Sequence, residues 1–211
     1  MIKNGLFISI ILFLMISTAQ AHGPVRQKSS VSAEVTANAD KVWAVLQNYS
    51  DMSWHPMVDA TINAQGGNKK GASRTLSLTT GGQITQIIKL NNPEKMKLKY
   101  RTLKEMTIIG TVAFQGEQQP IRTLPVTGLS ETIIIKNLGS NKSKLSWGAA
   151  YYRGYMNNLR AGELPELNDN AANSAMIQYL TSGILGLMKT FDSNATEKDI
   201  EKCSPPVDCK I

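Results

Sequence analysis

Near the C-terminal end, residues 171–191 set Ala172, Met176, Leu180, Ile184, Leu187 and Phe191 on one helical face, with Ser174, Gln178, Ser182 and Lys189 opposite. A helix of this length rises about 30 Å, enough to cross a whole β-sheet. Its apolar face must be buried against something large. The sequence before it offers a run of strands as the only partner of that size.

That run is legible from alternation and turn residues. Val31, Ala33, Val35 and Ala37 alternate with Ser32, Glu34 and Thr36, which predicts a half-buried strand. Asn38 and Asp40 suit helix N-caps, and Val42, Trp43, Leu46 and Tyr49 predict a short helix over 40–49. Residues 51–56 read as a second turn or helix, stopped by Pro56. Strands are expected at 61–65, 73–78, 82–90 and 95–102, spaced as an antiparallel meander, with a further strand at 107–114. Residues 116–125, with two prolines, break the pattern. A hairpin is expected from 130–136 and 144–152 around Gly139-Ser140-Asn141. Asp169 is placed to cap the last helix, and the charged residues from 193 onward are expected to be loose. The fold class is therefore α+β: a curved antiparallel sheet wrapped on a long C-terminal helix in a helix-grip arrangement. A pocket between sheet and helix is a natural by-product.

Residues 1–21 read as a cleavable signal peptide. Lys3 precedes a nearly unbroken apolar run from Gly5 to Ile16, and Ala19-Gln20-Ala21 supplies the small-x-small cleavage pattern. The run is shorter than the roughly 20 apolar residues of a membrane span. Removing the signal takes away Lys3 and no acid, so the formal charge of +7 becomes +6 on a mature chain starting at His22. For an exported protein, here expected in the periplasm, that balance favours acidic proteins or anionic surfaces as partners and argues against nucleic acid. Cys203 and Cys209 are the only cysteines, and export favours a disulfide between them. So short a loop limits the chain-entropy gain to about 2 kcal/mol.

The element order resembles the START-like superfamily, also called the polyketide cyclase/dehydrase and lipid-transport superfamily. Within it the chain resembles the periplasmic MxaD-type proteins of methanol oxidation. The residues carrying the resemblance are His22-Gly23-Pro24, Val42-Trp43, Trp54-His55-Pro56, Leu124-Pro125-Val126, Trp147-Gly148-Ala149, Tyr152-Arg153-Gly154-Tyr155, and Leu167-Asn168-Asp169 with Ala171-Ala172. The resemblance implies a START-like domain over 22–192, followed by the 193–211 tail. It also implies a non-enzymatic accessory role toward methanol dehydrogenase or its acidic cytochrome. A carrier of a hydrophobic small molecule or lipid is the alternative. An enzyme ranks last, because no nucleophile–base arrangement or paired carboxylates can be read.

Individual residues carry two readings each. His55, between Trp54 and Pro56, is either a base or ligand contact at a cavity mouth or a packing residue under the sheet edge. Met176, Tyr179, Leu180, Ile184 and Leu187, with Trp147 and Tyr151, either line a ligand cavity or fill a core. His22 offers an amine and an imidazole to a metal, but the ligand count is too low, so no metal and no cofactor are expected. Lys95, Lys97, Lys99 and Arg101 alternate with apolar residues and set four cations on one strand face, extended by Lys104. They are either a docking row for the acidic redox partner or a solvated face guarding a sheet edge.

Overall fold

The structure is a computed structural model that describes residues 23–209. The expected signal peptide and His22 lie outside the described residues.

The alternating segments become β1 (Gln27–Val35), β2 (Val58–Gln65), β3 (Ser73–Leu78), β4 (Gln83–Asn92), β5 (Lys97–Thr102), β6 (Ile108–Phe114), β7 (Glu117–Arg122), β8 (Val126–Gly139), β9 (Lys142–Arg153) and β10 (Ile200–Cys203). Two α-helices, α1 (Ala39–Gln47) and α2 (Asp169–Lys189), complete the described residues with a short 3-10 turn at Glu197–Asp199. Eight strands form one antiparallel sheet in the order β10-β1-β9-β8-β5-β4-β3-β2, and β6 and β7 form a separate hairpin. Both helices pack on the sheet, α2 against β1, β9 and β10, and α1 against β8 and β9. One continuous core fills the space between.

Several local expectations change. Asn168, not Asp169, caps α2: its Oδ1 accepts from the Ala171 N–H at 3.1 Å, and Asp169 opens the first turn. Of the two readings of residues 51–56, turn or helix, the turn holds, closed by hydrogen bonds. The proline-broken stretch 116–125 contains β7. Pro120 is tolerated there because the β6–β7 ribbon has free edges and needs no N–H from it. Phe114 packs edge-on to Tyr155 at 5.4 Å and ties this hairpin to a small second cluster with Leu164 and Leu167.

Two corrections concern charged segments. Residues 93–96 form a turn closed by Met96 N–H to Pro93 O (3.0 Å), with Met96 at φ +43°. Lys95 therefore sits in that turn, and only Lys97, Lys99 and Arg101 stand on the strand face. Their strand, β5, lies between β4 and β8, so the edge-guard reading falls. The segment after 192 is not loose. It buries Ala195 and Ile200, pairs β10 with β1, and closes a Cys203–Cys209 disulfide with Cys209 buried. Ordered structure thus continues into the tail after 192.

Where α2 crosses the turn at Trp54–Pro56, the approach is very close. A Cβ on Gly186 would lie 2.0 Å from the Trp54 carbonyl oxygen, and one on Gly183 would lie 2.3 Å from the Trp147 ring. Alanine normally stabilises a helix interior by about 1 kcal/mol over glycine. At Gly186 the backbone collision should reverse that sign and lower stability by about 1–3 kcal/mol in urea unfolding. Gly110→Ala, where a Cβ meets nothing within 4 Å, should leave the midpoint nearly unchanged.

Candidate functional site

The space under α2 draws together most of the residues expected to line a cavity. Trp54 and His55 come from the turn before β2, Trp147 and Tyr151 from β9, and Met176, Tyr179, Leu180, Ile184 and Leu187 from α2. All are buried except Trp54, which is half-buried. The His55 ring lies 4.6 Å from Tyr179 and 5.7 Å from Trp147, and Trp54 lies 6.0 Å from Trp147. Tyr151 is committed elsewhere. Its hydroxyl donates to Asn173 Oδ1 (2.9 Å) and meets Ser29 Oγ at 2.5 Å.

His55 presents a donor here rather than a base. Its Nδ1 accepts from the Met57 backbone N–H at 3.2 Å, so the neutral ring carries its proton on Nε2, which lies near the Tyr179 carbonyl without a hydrogen bond of good geometry. Burial, helped by the nearby Arg74 guanidinium, pushes its pKa down to about 3. The ring is uncharged at any ordinary pH.

Beside this aromatic group lies a polar network that the sequence reading missed. Arg74 on β3, Gln86 on β4 and Glu131 on β8 all point inward and are buried. Arg74 Nε donates to Gln86 Oε1 (3.0 Å), and Gln86 Nε2 donates to Glu131 Oε2 (2.7 Å). Arg74 Nη1 donates to the Tyr49 carbonyl (3.0 Å), and its guanidinium lies over the rings of Tyr49 (4.0 Å) and Tyr100 (5.3 Å). Burial pushes the Glu131 carboxyl up to about 8; Arg74, the Trp147 indole and Gln86 oppose the rise without cancelling it. At neutral pH Glu131 is thus mostly protonated, and Arg74 is a buried cation whose partners are neutral. Burial also pushes the Tyr49 hydroxyl up to about 12 and holds those of Tyr100 and Tyr179 well above the ordinary value.

The Tyr49 and Tyr100 hydroxyls have no hydrogen-bond partner among the described residues; His55 Nε2, Trp147 Nε1, Glu131 Oε1 and the Tyr179 hydroxyl make none of good geometry, although the Tyr179 carbonyl lies near His55, the Trp147 indole near Glu131 and Gln86 near Tyr179. Each such group costs about 1–3 kcal/mol when left unpaired. The set is rich in donors, so it matches a hydrogen-bond acceptor enclosed among aromatic rings.

A signal for the network did exist in the sequence. Period two places Arg74 with Leu76 and Leu78, Gln86 with Ile84 and Ile88, and Glu131 with Ile133 and Ile135. A charged residue in an apolar register is the informative exception. Register then joins the three: Arg74 lies opposite Gln86, and Glu131 opposite Tyr100.

On the outer face, Lys97, Lys99 and Arg101 project away from the core beside Ile134, Thr132 and Ser130 of β8. None of the three forms an ion pair among the described residues.

A long helix gripped by a curved antiparallel sheet, with an aromatic and polar interior, defines the START/Bet v 1-like class of helix-grip proteins. The chain belongs to the family described as Polyketide cyclase / dehydrase and lipid transport, which it matches over residues 26–191. Among solved structures it is similar to the protein XoxI from Bacillus cereus, at 17% identity and TM-score 0.58, covering 80% of this chain and 99% of that one. It is also similar to a START superfamily protein from Mycobacterium smegmatis, at 13% identity and TM-score 0.52, covering 78% and 98%. A third is norcoclaurine synthase from Thalictrum flavum, solved with dopamine and hydroxybenzaldehyde, at 13% identity and TM-score 0.51, covering 92% and 99%. At these identities the likeness is one of fold. Among curated proteins, none matches the sequence.

Two interior groups give the stability a definite pH profile. Folded Glu131 keeps its proton to about pH 8, whereas the unfolded carboxyl loses it near 4.5, so stability falls as pH rises through that window. Unfolded His55 takes a proton below about 6.5 that the folded ring refuses until about 3, so stability falls as pH drops through that window. Urea unfolding should show greatest stability between about pH 4.5 and 6.5, where the two slopes oppose. Glu131→Gln should remove the fall on the alkaline side. Identical slopes in both proteins between pH 6.5 and 8 would exclude Glu131 as its source.

Proposed function

We propose that the protein is an exported, non-enzymatic binder of a small, largely apolar molecule with a hydrogen-bond-accepting head, held between α2 and the inner face of the sheet. One observation carries this reading. The unpartnered Tyr49 and Tyr100 hydroxyls lie with the weakly paired polar atoms of His55, Trp147, Glu131 and Tyr179 in a buried interior lined by apolar side chains. Family membership supports it, since lipid transport is part of the family's description. The neutral state of His55, the tyrosines and Glu131 suits recognition rather than proton transfer. The head would meet the Tyr49, Tyr100 and Tyr179 hydroxyls, and the body would lie along Met176, Leu180 and Ile184.

Solvent extraction and mass spectrometry of the exported protein should find a bound molecule of this class. Tyr100→Phe deletes one orphan hydroxyl. It should raise the stability of the ligand-free protein by about 1 kcal/mol while lowering ligand retention about tenfold. A variant more stable than wild type that retained the ligand fully would sink the assignment of the head.

The outer face favours a second reading, the accessory role toward an acidic redox protein such as methanol dehydrogenase or its cytochrome. It rests on the resemblance and on the unpaired row Lys97, Lys99 and Arg101. Charges of this kind mainly raise encounter rates, and salt screens them over about 10 Å. Association measured against ionic strength with those two proteins should be slowed at low salt by Lys97→Glu combined with Lys99→Glu. Equal rates for both forms would reduce the row to a solvated surface.

A further inference from the structure

The outer face of the sheet holds a second feature that neither the interior ligand nor the strand row accounts for. On β9 the outward side chains are very small at Gly148 and Ala150, while the neighbouring strands carry longer ones. Register sets Lys28 of β1 and Ser130 of β8 on either side of Ala150, and Ser30 and Thr132 on either side of Gly148; Lys99 of β5 follows next to Thr132. The result is a cleft of about 420 Å³ floored by β9, walled by Lys28 and Lys99, and supplied with the Ser130 and Thr132 hydroxyls. Arg26 reaches its border, donating from Nη2 to Ser130 Oγ at 2.9 Å.

The C-terminal strap completes the cleft. β10 runs along β1 to Cys203, and the disulfide brings the chain back so that Cys209 is buried at the rim and exposed Asp208 lines the same cleft. The Asp208 side-chain carboxylate therefore lines the same cleft as Lys28 and Lys99, yet it makes no ion pair with either among the described residues. The pairing differs at another cleft of the molecule. In the larger cleft of about 480 Å³ near the α2 C-terminus, Lys142 is paired with Glu34 and Lys144 with Glu201. Cations are neutralised there and left open here.

We propose that this cleft receives a carboxylate side chain from an acidic segment of a partner protein, and that Asp208 on the disulfide-pinned strap competes for the same place. The idea deepens the outer-face docking reading and rests on it, but is independent of the interior ligand. Two ammonium groups on opposite walls and the Thr132 hydroxyl suit a carboxylate better than any apolar group, while Ser130 Oγ already donates to the Ala150 carbonyl at 3.4 Å. An extended acidic segment could lie as the strap lies, with one side chain turned down between Lys28 and Lys99.

The test uses the mature chain with a fluorescein-labelled octaglutamate peptide as probe, read by anisotropy at low and moderate salt, and inorganic phosphate as competitor. Lys28→Glu should weaken binding at least tenfold, although Lys28 lies off the β5 row. Asp208→Asn should strengthen binding about threefold by removing the competing carboxylate. Lys97→Glu, outside the cleft, should cost less than threefold. Unchanged melting temperatures for all three exposed-site variants keep folding out of the comparison. Equal weakening by Lys28→Glu and Lys97→Glu would overturn the cleft and leave a diffuse docking field, so the broader reading would survive. No effect from either would remove both. Displacement by phosphate at concentrations where chloride of equal ionic strength does nothing would assign the cleft to small anions instead of an acidic segment.

Discussion

The seat of α2 on the Trp54-His55-Pro56 turn governs the rest of the molecule. Gly183 and Gly186 remove the side chains that would hold the helix away, and the backbone of the turn comes into direct contact with it. The approach forces the His55 imidazole under the helix, against Trp147 and Tyr179. Once the ring is inside, its charge is expelled, and the Met57 N–H settles which nitrogen carries the proton. The helix position also decides how much of the inner sheet face is covered, and so which polar groups of β3, β4 and β8 lose water.

Those groups are an expensive thing to bury. A guanidinium in a protein interior is normally matched by a carboxylate. Here Arg74 instead leans on a glutamine, a backbone carbonyl and two aromatic faces, while Glu131 escapes the cost by keeping its proton. Apolar residues of similar size would pack the same volume with less penalty. Structures tolerate such arrangements mainly where recognition uses them. Six of the thirteen unpartnered buried polar atoms among the described residues gather in this region, while others, such as Trp43 Nε1, Asn91 Oδ1, Thr102 Oγ1 and Ser143 Oγ, lie elsewhere.

Two strands serve both faces at once. β9 turns Trp147, Ala149 and Tyr151 to the core and Gly148 and Ala150 to the outer cleft. β8 turns Glu131 inward and Ser130 and Thr132 outward. The alternation of a strand makes this automatic. The two proposed sites would therefore rest on the same stretches of strand backbone without sharing a side chain.

Much of this was already present in local periodicity. The long helix, its buried face, most of the strands and the two cysteines in reach of each other are set by spacing within a few residues, and such spacing survives in the sequence. The helix-grip class follows from their order. Only the tertiary structure decided which strands became neighbours. Arg74, Gln86 and Glu131 each betray an inward orientation by period two, yet their meeting depends on pairings across 12 and 45 positions. Lys95 left the cationic row because Met96 takes a left-handed turn, a choice that alternation cannot report. The tail became a strand because β1 offered an open edge, and the cleft beside it exists only through that pairing. Side-chain period is a property of one segment; partner and register are free energies of two segments far apart, and those the chain expresses only when folded.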